Sequence, residues 1–453
     1  MSAATNVREV AIVGAGVSGT ALLYVLSHYT NIHDIVLIEK EQEVADINSH
    51  RTSNSQTLHF GDIETNYTLE KARNVNRAAS LVKNYLLQHD RDRSLYHKYH
   101  KMVLAVGKEQ ADKLRTRYEE FKELFPDLRV VERSEIEQLE PEVLKGRENE
   151  QDVLALFTPE GYALDFQKLS QSFLERSLAC TDKNISVELG QKVRGIQKEG
   201  NLYRVVKENG EIILAKAVAV EAGAHSLLFA KSLGYGQHYA LLCVAGSFYV
   251  APKVLRGKVY TVQLKKLPFA AIHGDPEVDD PSTTRFGPTA KVLPLLERHR
   301  YQTVFEYLRT AGLSIDAIAS FLKILSDPFF LQYIIKNFLY DLPWIGKRLF
   351  IEEVKKIVPS IELGDLSYAR GYGGIRPQIV NLKTQSLELG EAKIIGDKIL
   401  FNITPSPGAS TCLQNAQEDT EQLVSFLGSN YRFDRQAFEE ELVFNKQSLN
   451  PTI

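Results

Sequence analysis

An α/β fold with a second, discontinuous α+β part is what three features of the sequence predict. Residues 9–29, EVAIVGAGVSGTALLYVLSHY, read as an apolar strand, a glycine turn and an apolar helix. Residues 34–40, DIVLIEK, form a second apolar strand ending in Glu39, which completes a βαβ unit. Between 185 and 221 the chain alternates as strands do, in ISVEL, KVRGIQK, LYRVVKE, EIILA and AVAVEA, with Asn209-Gly210 as a hairpin turn. This last stretch reads as a parallel strand followed by a meander.

The remaining elements follow the same logic. From Thr68, a plausible N-cap, apolar residues recur at Leu69, Ala72, Val75, Ala79, Val82 and Leu86, the stripe of a helix packed on one side. Between about 295 and 358 the pattern predicts consecutive short helices broken at Pro328 and Pro343. At the end, KILFNITPSPGASTCLQNAQEDTEQLVSFLG reads as a strand, a Pro/Gly loop and a helix stopped by Gly428. There are no repeats or low-complexity linkers, so the domains are expected to share the chain discontinuously. Residues 1–88, 151–235 and 359–453 are assigned to a nucleotide-binding part, and 89–150 with 236–358 to a substrate part.

The totals narrow the function. A chain of 453 residues, 44% hydrophobic, can bury a large core. Its 54 Lys and Arg nearly balance 57 Asp and Glu, so nothing in the charge attracts nucleic acid. Cys180, Cys243 and Cys412 are far apart and form no CxxC pair, which argues against a disulfide framework or a zinc site. The opening MSAATNVREVAIVGAG lacks the basic head and long apolar middle of a secretory signal, so synthesis is expected to end in the cytosol. No window holds the ~18 uncharged apolar residues that a spanning helix needs.

Gly14, Gly16 and Gly19 spell GxGxxG. Glycines there allow a tight turn, let the backbone approach a pyrophosphate, and permit close helix–sheet packing at a helix N-terminus. Glu39, twenty residues after Gly19, suits a ribose diol and would repel a 2′-phosphate. A bare glycine turn is the plain alternative, but strand, helix and acidic residue at their spacings favour a dinucleotide. The motif serves NAD and FAD alike. A second fingerprint for NAD(P)H is missing, since GYGGIRPQ has its glycines at the wrong spacing, so the reductant is expected to be a small molecule. The TPSPGAS loop leads into a second helix N-terminus, whose partial positive charge could steady a reduced flavin; an ordinary strand-to-helix turn would look the same. Ala222-Gly223 ends a buried strand where a bulky group could approach.

The order GAGVSG, Glu39, SNSQTLHFGDIETNYT, the meander, EAGAHS, GYGGIRPQ and TPSPGASTCLQNA resembles FAD proteins of the glutathione reductase/amino-acid-oxidase type. In these a Rossmann-like FAD-binding domain is joined to a discontinuous substrate domain of mixed sheet and helices. More narrowly the chain resembles the malate:quinone oxidoreductases in their shorter form. VAGSFY, LPFAAIHGDP, TRFGPTA and LPWIGKR extend the likeness over nearly the whole length. The resemblance implies a peripheral membrane flavoenzyme on the cytoplasmic face of the inner membrane that oxidises (S)-malate to oxaloacetate and passes two electrons through FAD to a membrane quinone. Another 2-hydroxy acid, such as L-2-hydroxyglutarate, or an amino acid is the nearest alternative. A flavin-carrying protein without turnover and an NAD-dependent dehydrogenase are the rivals from other classes.

A hydroxy acid gives up a hydroxyl proton to a base and a hydride to the flavin, while cations hold its carboxylates. Arg376 in GIRP resembles the superfamily's carboxylate clamp, and Arg285 in TRFGPTA is the candidate for malate's second carboxylate. Structural salt bridges are the plain reading of both. His273, with Asp275 as candidate partner, is favoured as the base, and His59 as a flavin-side or substrate-orienting group; either imidazole could instead be structural. The cofactor site implied comprises Gly14, Gly16, Val17, Ser18 and Gly19; Glu39 and Lys40; Ser53, Asn54, Ser55 and Thr57; Val193, Ala222, Gly223 and Gly374; and Pro407, Gly408, Ala409 and Ser410. Asn54, Ser55 and Thr57 are read as donors to the phosphates and ribityl chain, although a solvated loop would also be polar. Residues 320–350, with Lys323, Lys336, Lys347 and Arg348 among aromatic and apolar side chains, read equally as an interfacial helix pair or as buried helices capping the substrate part.

Overall fold

The computed structural model describes residues 7–263, 271–311, 315–388, 392–404 and 407–444. The opening MSAATN, the LPFA of LPFAAIHGDP, and Pro405 and Ser406 of TPSPGAS lie outside the described residues.

The βαβ unit forms as its pattern requires. Arg8–Val13 pairs in parallel with Asp34–Ile38 on one side and with Ile212–Val220 on the other, with Val10 opposite both Ile35 and Ala217. Asn184–Glu188 adds in parallel to Asp34–Ile38, and Ile399–Ile403 to Ile212–Val220. Val193–Glu199 and Leu202–Lys207 then return antiparallel, the meander that the alternation and Asn209-Gly210 predict. The result is an eight-stranded sheet whose central strands are buried on both faces and therefore read as continuous apolar runs.

The helix Val17–Tyr29 packs between Phe166–Leu178 and Cys412–Leu427, which explains why it is apolar nearly all round. Leu69–His89 starts where expected, with the Thr68 hydroxyl accepting the Lys71 N–H, a cap contributing about 1 kcal/mol. Asp165 and Asp327 cap Phe166–Leu178 and Pro328–Leu339 in the same way. The expected short helices are Val304–Ala311, Ile315–Leu325, Pro328–Leu339 and Gly346–Val354, with Pro328 in the first turn of the third.

Two further sheets complete the molecule. An eight-stranded sheet carries Tyr249–Pro252, Thr283–Gly287, His273–Pro276, Lys258–Thr261, Tyr96–Val106 and Val153–Leu164 as neighbours in that order. A four-stranded sheet pairs Tyr239–Ala245 with Ile375–Asn381. The polar stretch 53–59 runs between the sheets. Its Gln56 side chain donates to Glu277 at 2.6 Å and accepts the Val278 N–H at 3.0 Å, while Thr57 bridges to Ala163.

Candidate active site

The carboxyl ends of the first sheet, the start of Ile375–Asn381, the 53–59 stretch and the 407–410 loop line one open cleft that runs from the glycine turn to Arg376.

At one end lies the glycine turn. Gly14 has φ +107°, and a Cβ there would sit 2.5 Å from the Glu221 carbonyl oxygen. A Cβ on Gly19 would lie 1.9 Å from the Gly14 oxygen, so this glycine serves helix–strand packing and, unlike Gly14, Gly16, Val17 and Ser18, does not line the cleft. The helix Val17–Tyr29 has no side-chain cap, and its N-terminus opens on the cleft. Glu39 stands beside it, its carboxylate accepting the N–H groups of Ala15 at 2.7 Å and Glu41 at 3.0 Å. Burial pushes the Glu39 carboxyl up against these two bonds and the nearby Lys40 cation. Lys40 lines the cleft with its ammonium paired to Glu297, a partner 257 residues away that no local pattern announces. Asn48 and Ser49 were also missed: Ser49 accepts the Val17 N–H at 3.0 Å and Asn48 that of Ile375 at 3.1 Å.

Ser53, Asn54, Ser55, Thr57 and His59 form one wall. Two of the side chains read as cofactor donors turn inward. The Asn54 amide donates to the carbonyls of Asn48, Ser49 and His50, at 3.2, 3.3 and 2.9 Å. The Thr57 hydroxyl donates to Ser55 O at 3.0 Å and accepts Lys258 Nζ at 2.9 Å. His59 is half-buried, and its Nδ1 lies 2.7 Å from Glu64 Oε1. Val193, Ala222, Gly223, Gly374, Pro407, Gly408, Ala409 and Ser410 complete the lining expected from the sequence. The helix Cys412–Leu427 that follows the 407–410 loop also lacks a side-chain cap.

Arg376 faces the same cleft from the Ile375–Asn381 strand, and its guanidinium makes no hydrogen bond or ion pair among the described residues. Burial pushes its guanidinium down, opposed by the Tyr333 hydroxyl nearby. A half-buried cation without a counter-ion is a costly feature unless an anion binds there.

The other predicted pair stands apart. His273 and Asp275 face the same side of their strand, and neither lines the cleft. The His273 ring is 1% exposed and stacked on Tyr260 at 4.5 Å. Its Nδ1 meets Ala271 O at 3.0 Å and its Nε2 lies 3.1 Å from Asp275, so neither nitrogen faces open space. Burial works against the Asp275 charge, but His273, Lys258 and Arg285 outweigh it and hold the carboxyl far below the usual range. Arg285 is also enclosed: its Nη1 donates to the Asn54 carbonyl at 3.1 Å, with Glu277 at 3.6 Å and Asp275 at 3.9 Å. The sequence thus brought together Arg376 and His59, and set beside them two residues that the fold keeps behind the wall.

The fold is that of FAD-binding oxidases. It superposes on L-α-glycerophosphate oxidase from Mycoplasma pneumoniae, solved with FAD bound, with a TM-score of 0.64 at 18% identity, covering 92% of this chain and 95% of that one. Residues 6–424 match the malate:quinone oxidoreductase family, and the chain is 42% identical to a probable malate:quinone oxidoreductase of Campylobacter jejuni over 96% of its own length and 99% of the relative's. The Helicobacter pylori malate:quinone oxidoreductase is likewise 42% identical, over 94% and 96% of the two chains. The chain belongs to the malate:quinone oxidoreductase family, oxidoreductases that take electrons from malate and give them to a quinone. Human mitochondrial L-2-hydroxyglutarate dehydrogenase is a distant likeness, 24% identical over 91% of this chain.

Proposed function

We propose that the cleft holds one FAD, that (S)-malate is oxidised to oxaloacetate beside it, and that the acceptor is a membrane quinone reached from the cytoplasmic face of the inner membrane. The fit to FAD is supported by the glycine cradle, the acidic Glu39 and two helix N-termini without side-chain caps. When bound, FAD supplies the acceptor for the hydride of malate C2 and relays the electron pair to the quinone.

The remaining work falls to the chain. Arg376 pairs with a malate carboxylate through its planar fork. His59 takes the hydroxyl proton on Nε2, the nitrogen that Glu64 leaves free. The base role favoured for His273 from sequence passes to His59, because the enclosed His273 ring has no path to a substrate in the cleft. Arg285 is proposed to stiffen the Asn54 wall rather than to bind a carboxylate, and Asn54 and Thr57 to shape that wall while the backbone of the stretch meets the cofactor. The first sheet and its helices form the cofactor part in this reading, and the second sheet with the helices between 304 and 354 the substrate and quinone side.

Among the described residues no single helix is long and apolar enough to cross a membrane. A lipid-surface contact is supported by exposed apolar side chains on the 304–354 helices and their connections: Phe305, Leu322, Ile335, Phe338 and Trp344. Lys323, Lys347 and Arg348 lie among them and suit anionic headgroups.

The observation that carries the proposal is a guanidinium without a counter-ion among the described residues and a carboxylate-held imidazole, both lining the cleft that begins at the glycine turn. Its test is the visible spectrum of the purified protein before and after malate in the absence of oxygen. Bleaching of a yellow chromophore is expected; a colourless protein, or a spectrum that malate leaves unchanged, overturns the proposal.

A further inference from the structure

We infer that Glu64 is a positioning residue for the reaction: it fixes the His59 ring with the proton on Nδ1 and the Nε2 lone pair turned to the cleft. The inference rests on the reading of His59 as the base and assigns the group that makes it one.

The geometry is specific. Glu64 Oε1 lies 2.7 Å from His59 Nδ1, and the carboxylate is buried while the imidazole is half-buried at the cleft wall. The opposite edge of the ring carries Nε2, with Ser55 Oγ at 3.5 Å. The His59 N–H donates to Ser410 Oγ at 3.0 Å, which fixes the backbone from which the ring projects. Glu64 is held in turn, because Arg117 donates to its carbonyl oxygen. Lys101 and Asp62 form a buried pair at 2.7 Å next to it.

An ionised carboxylate can only accept, so the ring nitrogen facing it must carry the proton. Burial works against the Glu64 charge, but the hydrogen bond from His59 and the nearby Lys101 ammonium favour it, and the carboxyl is held below its usual range. The neutral ring is then confined to the tautomer with an unprotonated Nε2, and its plane is locked by a second-residue contact rather than by substrate. As Nε2 takes the malate hydroxyl proton, the imidazolium that forms already has its counter-ion in place. The pair lies in a loop, five residues apart, where no sequence periodicity would relate the two.

The test compares wild type, Glu64→Ala, Glu64→Gln, His59→Ala and the His59→Ala/Glu64→Ala double variant, each checked for bound flavin by its absorbance. Rapid mixing with malate without oxygen measures flavin reduction, and 15N shifts of labelled histidine, assigned with His59→Ala, report the ring tautomer. Glu64→Ala should slow reduction by about 10- to 100-fold with the malate KM unchanged. It should cost nothing further in the His59→Ala background, and the Nδ1–H signature should be lost. Glu64→Gln keeps the volume and an acceptor oxygen, so it should lose less than Glu64→Ala and retain flavin should the alanine variant fail to fold. Wild-type reduction in the Glu64 variants, an equal loss in both backgrounds, or an unchanged tautomer overturns the inference. Wild-type reduction in His59→Ala would instead remove the base reading itself.

Discussion

The carboxylate of Glu39 accepts the N–H of Ala15 at 2.7 Å, tying the end of the second strand to the glycine turn across the strand pair. With the Glu41 N–H on its other oxygen, Glu39 satisfies one buried and one part-buried donor and lines the cleft. Glu39→Ala should therefore weaken both turn and cofactor. The expected outcome is a preparation depleted in flavin, with a thermal midpoint lowered by the loss of about 1–3 kcal/mol for the unsatisfied amides. Flavin-to-protein absorbance and melting check this; full occupancy with an unchanged midpoint contradicts it.

Arg376 has no counter-ion among the described residues, so its replacement leaves no buried anion stranded. Arg376→Lys should keep flavin and fold while lowering kcat/KM for malate by about 10²-fold, the loss of a charge-assisted fork of ~3 kcal/mol. Arg376→Ala should lose more. Steady-state assays with an artificial electron acceptor measure both, and a lysine variant with unchanged kcat/KM would remove Arg376 from substrate binding.

His59 and His273 separate by assay. His59→Ala should retain flavin and lose at least ~10²-fold in turnover, with some loss of stability because the buried Glu64 carboxylate is left short of a partner. His273→Ala removes a ring packed between Tyr260, Ala271 O and Asp275 and leaves a buried carboxylate short of a partner. It should cost about 3 kcal/mol in a denaturant titration, with flavin reduction by malate within a few-fold of wild type. The reverse pattern would return the base role to His273.

What the sequence made legible follows from where its constraints are local. Gly14 has a positive φ in the turn and Gly19 a 1.9 Å approach to the Gly14 oxygen, both within one strand–turn–helix, so their spacing alone announces the unit; the further 2.5 Å approach of Glu221 to Gly14 is not local and only the fold shows it. The meander shows because Leu202–Lys207 alternates between the sheet's faces. His273–Pro276 is buried at every position, so no alternation tells which side chain faces a ligand and which faces Asp275. Asn54 and Thr57 are ambiguous for another reason: a polar loop side chain serves its own turn as readily as a ligand, and both line the cleft while their side chains bond within the protein. Arg285, the candidate for malate's second carboxylate, lies against Asp275 and Glu277 from the neighbouring strand and the turn after it, neighbours that only the register between strands sets.

Trp344 is 92% exposed and Leu322 63%, on the connection and helices that also carry Phe305, Ile335 and Phe338. Ala317–Leu325 and Pro328–Leu339 meet in a bend of 86°, so the two do not form one straight span. Each large apolar side chain moved from water into the interfacial zone contributes about 1.5–3 kcal/mol when fully buried, so losing two should be decisive for a reversible contact. The Trp344→Ser/Leu322→Ser double variant should leave malate oxidation with a water-soluble acceptor unchanged, since neither residue lines the cleft. It should float with anionic liposomes at least ~10-fold less than wild type, and activity with a liposome-borne quinone should fall in parallel. Equal flotation of the two proteins would move the lipid contact to another face; flotation by neither would remove it.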